Sequence, residues 1–103
     1  MALIKSCRGF DPKFGEDCYL AENATVIGDV IIGNQCSIWF NTVVRGDVNS
    51  IRIGNKVNIQ DGAVLHADPG QPLRIGEDVS IGHQAMIHCS EIGDRTLIGI
   101  QAV

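Results

Sequence analysis

The chain reads as an all-β solenoid, a parallel β-helix of triangular cross-section, on three observations. An aliphatic residue recurs every six positions, glycine often follows it, and the residue four further on is small or β-branched. The step runs Leu20, Val26, Ile32, Ile38, Val44, resumes at Ile53, Ile59, Leu65, again at Ile75, Ile81, Ile87, and ends at Ile92 and Ile98. A period of six matches neither turn of an α-helix well, and the Ile, Val and Gly content favours short strands broken by turns. One strand per block and three blocks per coil bring like residues into ladders along the prism axis, where each coil's backbone bonds to its neighbours.

The elements follow in order. Residues 1–19 show no clear repeat and are expected to lie as a strand and turn over the first coil. The hexads of 20–103 then give about four coils: Ile32–Ile38–Val44, Ile53–Ile59–Leu65, Ile75–Ile81–Ile87, and a short one, Ile92–Ile98. Residues 50–52 and 71–74 are extra to the rhythm, and the Ile87 block is one residue short. The longer insertion follows Ala67-Asp68-Pro69-Gly70, whose Pro and Gly mark a turn. Inserted residues in a solenoid collect at one corner, often on a functional face. All 103 residues form one domain, with an open strand edge and no C-terminal cap expected after Val103.

Composition narrows the function classes. Hydrophobic residues make up 45% of the chain but aromatic ones only 5%, which suits a narrow core. A net charge of −4 without a basic stripe argues against a nucleic-acid partner. No apolar run approaches the ~20 residues of a membrane span, and the N-terminus lacks a signal-peptide core. The four cysteines form no Cys-x-x-Cys pair and read as reduced structural thiols of a cytoplasmic protein.

The histidines carry the chemistry. His66 follows Leu65 and His88 follows Ile87, so both hold the same block position in consecutive coils. Adjacent strands lie ~4.7–4.9 Å apart, and two nitrogens on one tetrahedral zinc stand roughly 3.4 Å apart. A slight lean therefore presets the pair to chelate. His83, third in its block, belongs to an adjacent face and points elsewhere. In a trimer of side-by-side prisms it would complete a neighbour's site in trans, which gives three equivalent sites. Arg45 falls directly below His66 in the same ladder, Asp47 lies two further on, and Asp61 falls one coil below His83 beside Gln60. Where the two faces meet, Arg45 is expected to bond Asp61 across the boundary, with Asp47 as a further partner.

The segments Val44-Arg45-Gly46-Asp47, Ile59-Gln60-Asp61-Gly62 with His66, and His83-Gln84-Ala85-Met86-Ile87-His88 resemble the γ-class carbonic anhydrases and their bacterial relatives, as do Asn23–Val30 and Ile38-Trp39. The resemblance runs from about Phe14 to the last residue. It implies a left-handed β-helix, a homotrimer, and zinc (Fe2+ or Co2+ as alternates) held by His66, His83 and His88 at subunit boundaries. It also implies that Gln60 positions the reacting water and that Arg45, Asp47 and Asp61 form an intersubunit ion-pair set. The implied reaction is reversible hydration of CO2 to bicarbonate. The chain departs from the archaeal type at two glutamates that help to move protons there. Val48 or Asn49 stands at one place, and the short loop Ala67–Pro72 holds a single acid, Asp68. The chain is also short at the C-terminus, which leads to an expectation of end-to-end pairs of trimers. The competing functions are an acyltransferase or thioesterase-like enzyme, and a metal-stabilised trimeric scaffold with little activity.

Overall fold

A computed structural model describes residues 2–103 as thirteen strands, with no helix among the described residues. All the strand pairings are parallel and follow the hexad register. The first face of the prism is a five-stranded sheet of Tyr19–Leu20, Ser37–Ile38, Asn58–Ile59, Ser80–Ile81 and Leu97–Ile98. The second and third faces are one sheet, because Thr25–Ile32 and Val43–Ile53 run on around the corner that joins them.

The inward aliphatic residues stack as the repeat requires. Val26, Val44, Leu65 and Ile87 form the ladder of the second face, and Ile32, Ile53, Ile75 and Ile92 that of the third. These and Ile38, Ile59 and Ile81 are buried, joined by the small corner residues Ala24, Cys36, Val57, Ala63, Val79 and Ala85. The fully buried interior is thus a column of aliphatic side chains, with the half-buried Phe14 packed against its N-terminal end. Burial pushes the Cys36 thiol above its ordinary pKa.

Two corners are tight turns and the third is not. At the corner before the first face Asp17, Gln35, Lys56, Asp78 and Arg95 have positive φ, and at the corner after it Asn41, Gly62, Gln84 and Gln101 do. Left-handed backbone is costly for residues with a Cβ, yet the later turns are braced by the coil before them: Lys56 N donates to Asn34 O, Asp78 N to Asn55 O, and Gln84 N to Asp61 O. At the third corner the chain passes Gly28 and Gly46, paired in register, and then loses register before Val30 meets Ile51. Gly28 has φ +80°, and a Cβ there would lie 2.3 Å from the Gly46 carbonyl oxygen.

Three expectations shift in detail. The N-terminal residues are a full coil, since Leu3–Lys5 pairs with Thr25–Ile27 and Lys13–Phe14 with Ile31–Ile32. Each face is therefore five strands deep, against the four or so coils that the hexads alone suggest. The inserted residues also sit slightly earlier than the phase break places them. Ile51 is buried opposite Val30 and Leu73, so the residues pushed outward are 47–50 and 68–72. Inward packing of the next aliphatic residue, rather than the count of six, decides which residues bulge.

Candidate functional site

His66 closes the strand Val64–His66, and His88 follows Met86–Ile87 at the equivalent outward position one coil on. Their rings stack with centroids 5.2 Å apart and planes within 7° of parallel. Arg45 lies in register beside His66. The ladder inside the prism, Val44–Leu65–Ile87, fixes the backbone from which both rings project, and half-buried Val43, Val64 and Met86 stack in register on the outer side.

Each imidazole meets a carboxylate from the corner insertions. His66 Nε2 lies 3.0 Å from Asp47 Oδ1, and His88 Nε2 lies 3.0 Å from Asp68 Oδ1. Asp47 is held from two further directions. Its Oδ2 accepts from Arg45 Nη1 at 3.2 Å, and its backbone oxygen accepts from Arg8 Nε at 2.6 Å. Burial pushes the Asp47 carboxyl up, but the His66 hydrogen bond and the Arg45 charge outweigh it and hold the group below its usual pKa. Within the chain Arg45 is thus paired with Asp47, the partner expected second.

His83 stands apart. It follows Gly82 at the corner after the first face, exposed, with Nδ1 3.5 Å from Asp61 Oδ1. Trp39, Asn58, Gln60, Asp61 and His83 surround a shallow depression of about 290 Å³. Gln60 is fixed through its backbone, whose carbonyl accepts from the wholly buried Thr42 hydroxyl at 2.9 Å and whose N–H donates to Ile81 O at 3.0 Å. Asn58 Oδ1 is buried there without a hydrogen-bond partner. Such an orphan acceptor costs free energy unless a donor reaches it.

The structure therefore joins His66, His88, Arg45 and Asp47 on one face, and Gln60, Asp61 and His83 at the next corner. Among the described residues, no three His, Cys, Asp or Glu side chains of one chain gather closely enough to hold a metal ion. The donor chemistry nevertheless suits a borderline metal: two imidazoles are stacked, and each is oriented by a carboxylate in the manner of an outer-sphere partner. Sequence reasoning missed the roles of Asp68, Asn49 and Arg8. One signal was available, since Asp47 precedes His66 by 19 residues and Asp68 precedes His88 by 20, so nearly the same carboxylate–imidazole spacing occurs twice.

Comparison with known proteins places this geometry in context. The pattern of the family "Bacterial transferase hexapeptide (six repeats)" matches residues 11–46. A carbonic anhydrase of Geobacillus kaustophilus is 43% identical over 101 residues, covering 98% of this chain and 56% of its own length. A protein of Methanocaldococcus jannaschii named "Probable carbonic anhydrase" is 51% identical over 83 residues, covering 81% of this chain and 52% of its own. The chain thus spans about half the length of these relatives. A crystal structure from Bacillus cereus, provisionally described as an acetyltransferase, superposes with TM-score 0.83 at 31% identity, covering 96% of this chain and 75% of that one.

Proposed function

The chain belongs to the hexapeptide-repeat family, and from that premise we propose that it forms a γ-class carbonic anhydrase site, hydrating CO2 to bicarbonate between subunits of a trimer. The observation that carries the reading is the stack of His66 on His88, rings 5.2 Å apart, in register with Arg45. Relatives named carbonic anhydrase at 43% and 51% identity support it.

His66 and His88 of one chain and His83 of a neighbour would hold the metal, zinc by preference. When bound, such an ion supplies Lewis acidity that brings the pKa of a coordinated water to about 7, a magnitude taken from carbonic anhydrase itself. The chain's own groups do the positioning. Asp47 and Asp68 orient the two stacked imidazoles. Gln60, anchored through Thr42, presents its amide to the attacking water beside His83. Arg45 and Asp47 face the neighbour's Asp61, which ties the two halves of the site together. Exposed apolar side chains at the His83 corner, Phe40 and Ile100, support a subunit contact there. The free cysteines suit a reducing, cytoplasmic setting.

Metal analysis and oligomer mass, followed by stopped-flow CO2 hydration with zinc-loaded and Fe(II)-loaded protein, test the reading. About one metal ion per chain in a trimer is expected. A trimer that holds no transition metal after zinc loading ends it. Acyl transfer is the second reading, favoured by the Bacillus cereus structure. It predicts turnover of an acyl-thioester without a metal requirement.

A further inference from the structure

The loop formed by residues 68–72 is the largest departure from the repeat, and one amide ties it down. Asn49 Nδ2 donates to the carbonyl oxygens of Asp68 at 3.1 Å and Pro69 at 3.0 Å. Its Oδ1 accepts from Ser50 N at 2.8 Å. Only one orientation of an amide satisfies an N–H on one side and two carbonyls on the other, so the side chain is fixed at both ends. The Asp68 carbonyl also accepts from Gln71 N at 3.1 Å, which closes the turn. Buried Ala67 and Leu73 pin the loop's two feet to the core. Asp68 itself is 56% exposed, so its neighbours do not confine its carboxylate. What brings Oδ1 to within 3.0 Å of His88 Nε2 is the placement of the backbone beneath it.

We infer that Asn49 is a positioning residue: it latches the 68–72 loop and thereby sets the Asp68 carboxylate against His88. Asn49 touches neither histidine and acts entirely through Asp68. The two insertions are thus one device, with the first, 47–50, reaching over to hold the second. The consequence for metal binding rests on the reading of His88 as a ligand, whereas the latch does not.

The test uses the full chain and Asn49→Asp, Asn49→Ala and Asp68→Ala variants. Asn49→Asp is the sharper probe, because its carboxylate still accepts from Ser50 N while losing both donors to the loop. Long-range 1H–15N spectra of the imidazoles report the tautomer of each histidine. His88 is expected in the Nε2–H form in the parent chain. It should shift in both Asn49 variants to the position seen in Asp68→Ala, with His66 unmoved. Amide exchange across 67–73 should accelerate about tenfold or more. An unchanged His88 in Asn49→Asp overturns the latch, and so does a shift of His66 by a similar amount, which would signal general loosening of the face. Zinc titration of the same variants is expected to show affinity weakened by about tenfold, the lower end for loss of an outer partner. Unchanged or tighter zinc binding would overturn the latch's bearing on the metal. If His88 responds as stated but no variant, nor the parent, binds zinc, the latch stands and the metal reading falls.

Discussion

His66 and His88 on one side of a corner, and His83 on the other, are the same residue type in the same short segment but have different surroundings. The first two share a ladder position, their rings are parallel, and each meets a carboxylate at 3.0 Å. His83 is exposed, rests 3.5 Å from Asp61, and belongs to no group of three metal-binding side chains among the described residues. A repeat delivers one position again and again along its axis, but it cannot bring neighbouring faces together. Anything that needs both faces needs a second chain.

The most severe break of this comparison is removal of a ligand. His66→Ala and His83→Ala should each weaken zinc binding by more than the ~10–100-fold typical of an outer partner, although only His66 lies in the stack. Mixing the two variants under conditions of proven subunit exchange should restore part of the zinc bound per chain, measured by elemental analysis. Zero recovery removes the trans assignment of His83.

Next in size is the core beneath the stack. Leu65→Ala should cost about 2–5 kcal/mol, since Leu65 is wholly buried and its strand carries His66. Phe40→Ala at the exposed corner should change chain stability far less while weakening association of the proposed trimer. Denaturant melts and a concentration series of light scattering separate the two, and equal losses in the melts would contradict the contrast.

A smaller effect is expected from Thr42→Val, which removes the buried hydroxyl that holds the Gln60 carbonyl. The cost should be about 1 kcal/mol, with CO2 hydration reduced more than zinc affinity. A parallel fall of both would place Thr42 under the fold alone.

The last effect concerns acid. The folded pKa of Asp47 is lowered, so the unfolded chain binds the proton more readily. The stability it contributes is present above the unfolded value of about 3.9 and is lost as pH falls through the folded value. Asp47→Asn should flatten the stability profile below about pH 4. An acid limb identical to the parent's would show that Asp47 is not coupled to folding.

The regular parts of this fold were legible because position determines contact. The stacking of His66 on His88 and the register of Arg45 with His66 follow from counting aliphatic residues, and the structure reproduces both. The N-terminal coil was not legible, because Ile4 and Phe14 are separated by the turn closed between Cys7 and Phe10 and keep no hexad spacing. The Asp68–His88 contact was hidden for a related reason. Once residues leave the ladder, hydrogen bonds such as those of Asn49 decide where they lie, and these have no period. The irregular segments are also the ones that bring carboxylates to the two stacked histidines.

The in-register stacking of coils makes the prism a ruler with coarse graduations. Equivalent positions are separated along the axis by whole steps of ~4.8 Å, and the 5.2 Å between the stacked rings is one such step with a small tilt. Inserting or deleting a complete coil would move groups by full divisions while leaving the packing of every other coil intact. Finer adjustment can come only from sideways excursions at a corner, such as 47–50 and 68–72. A designer wishing to retune the spacing of donors on this scaffold should therefore leave the ladders alone and alter the excursions, where fractions of a step are available.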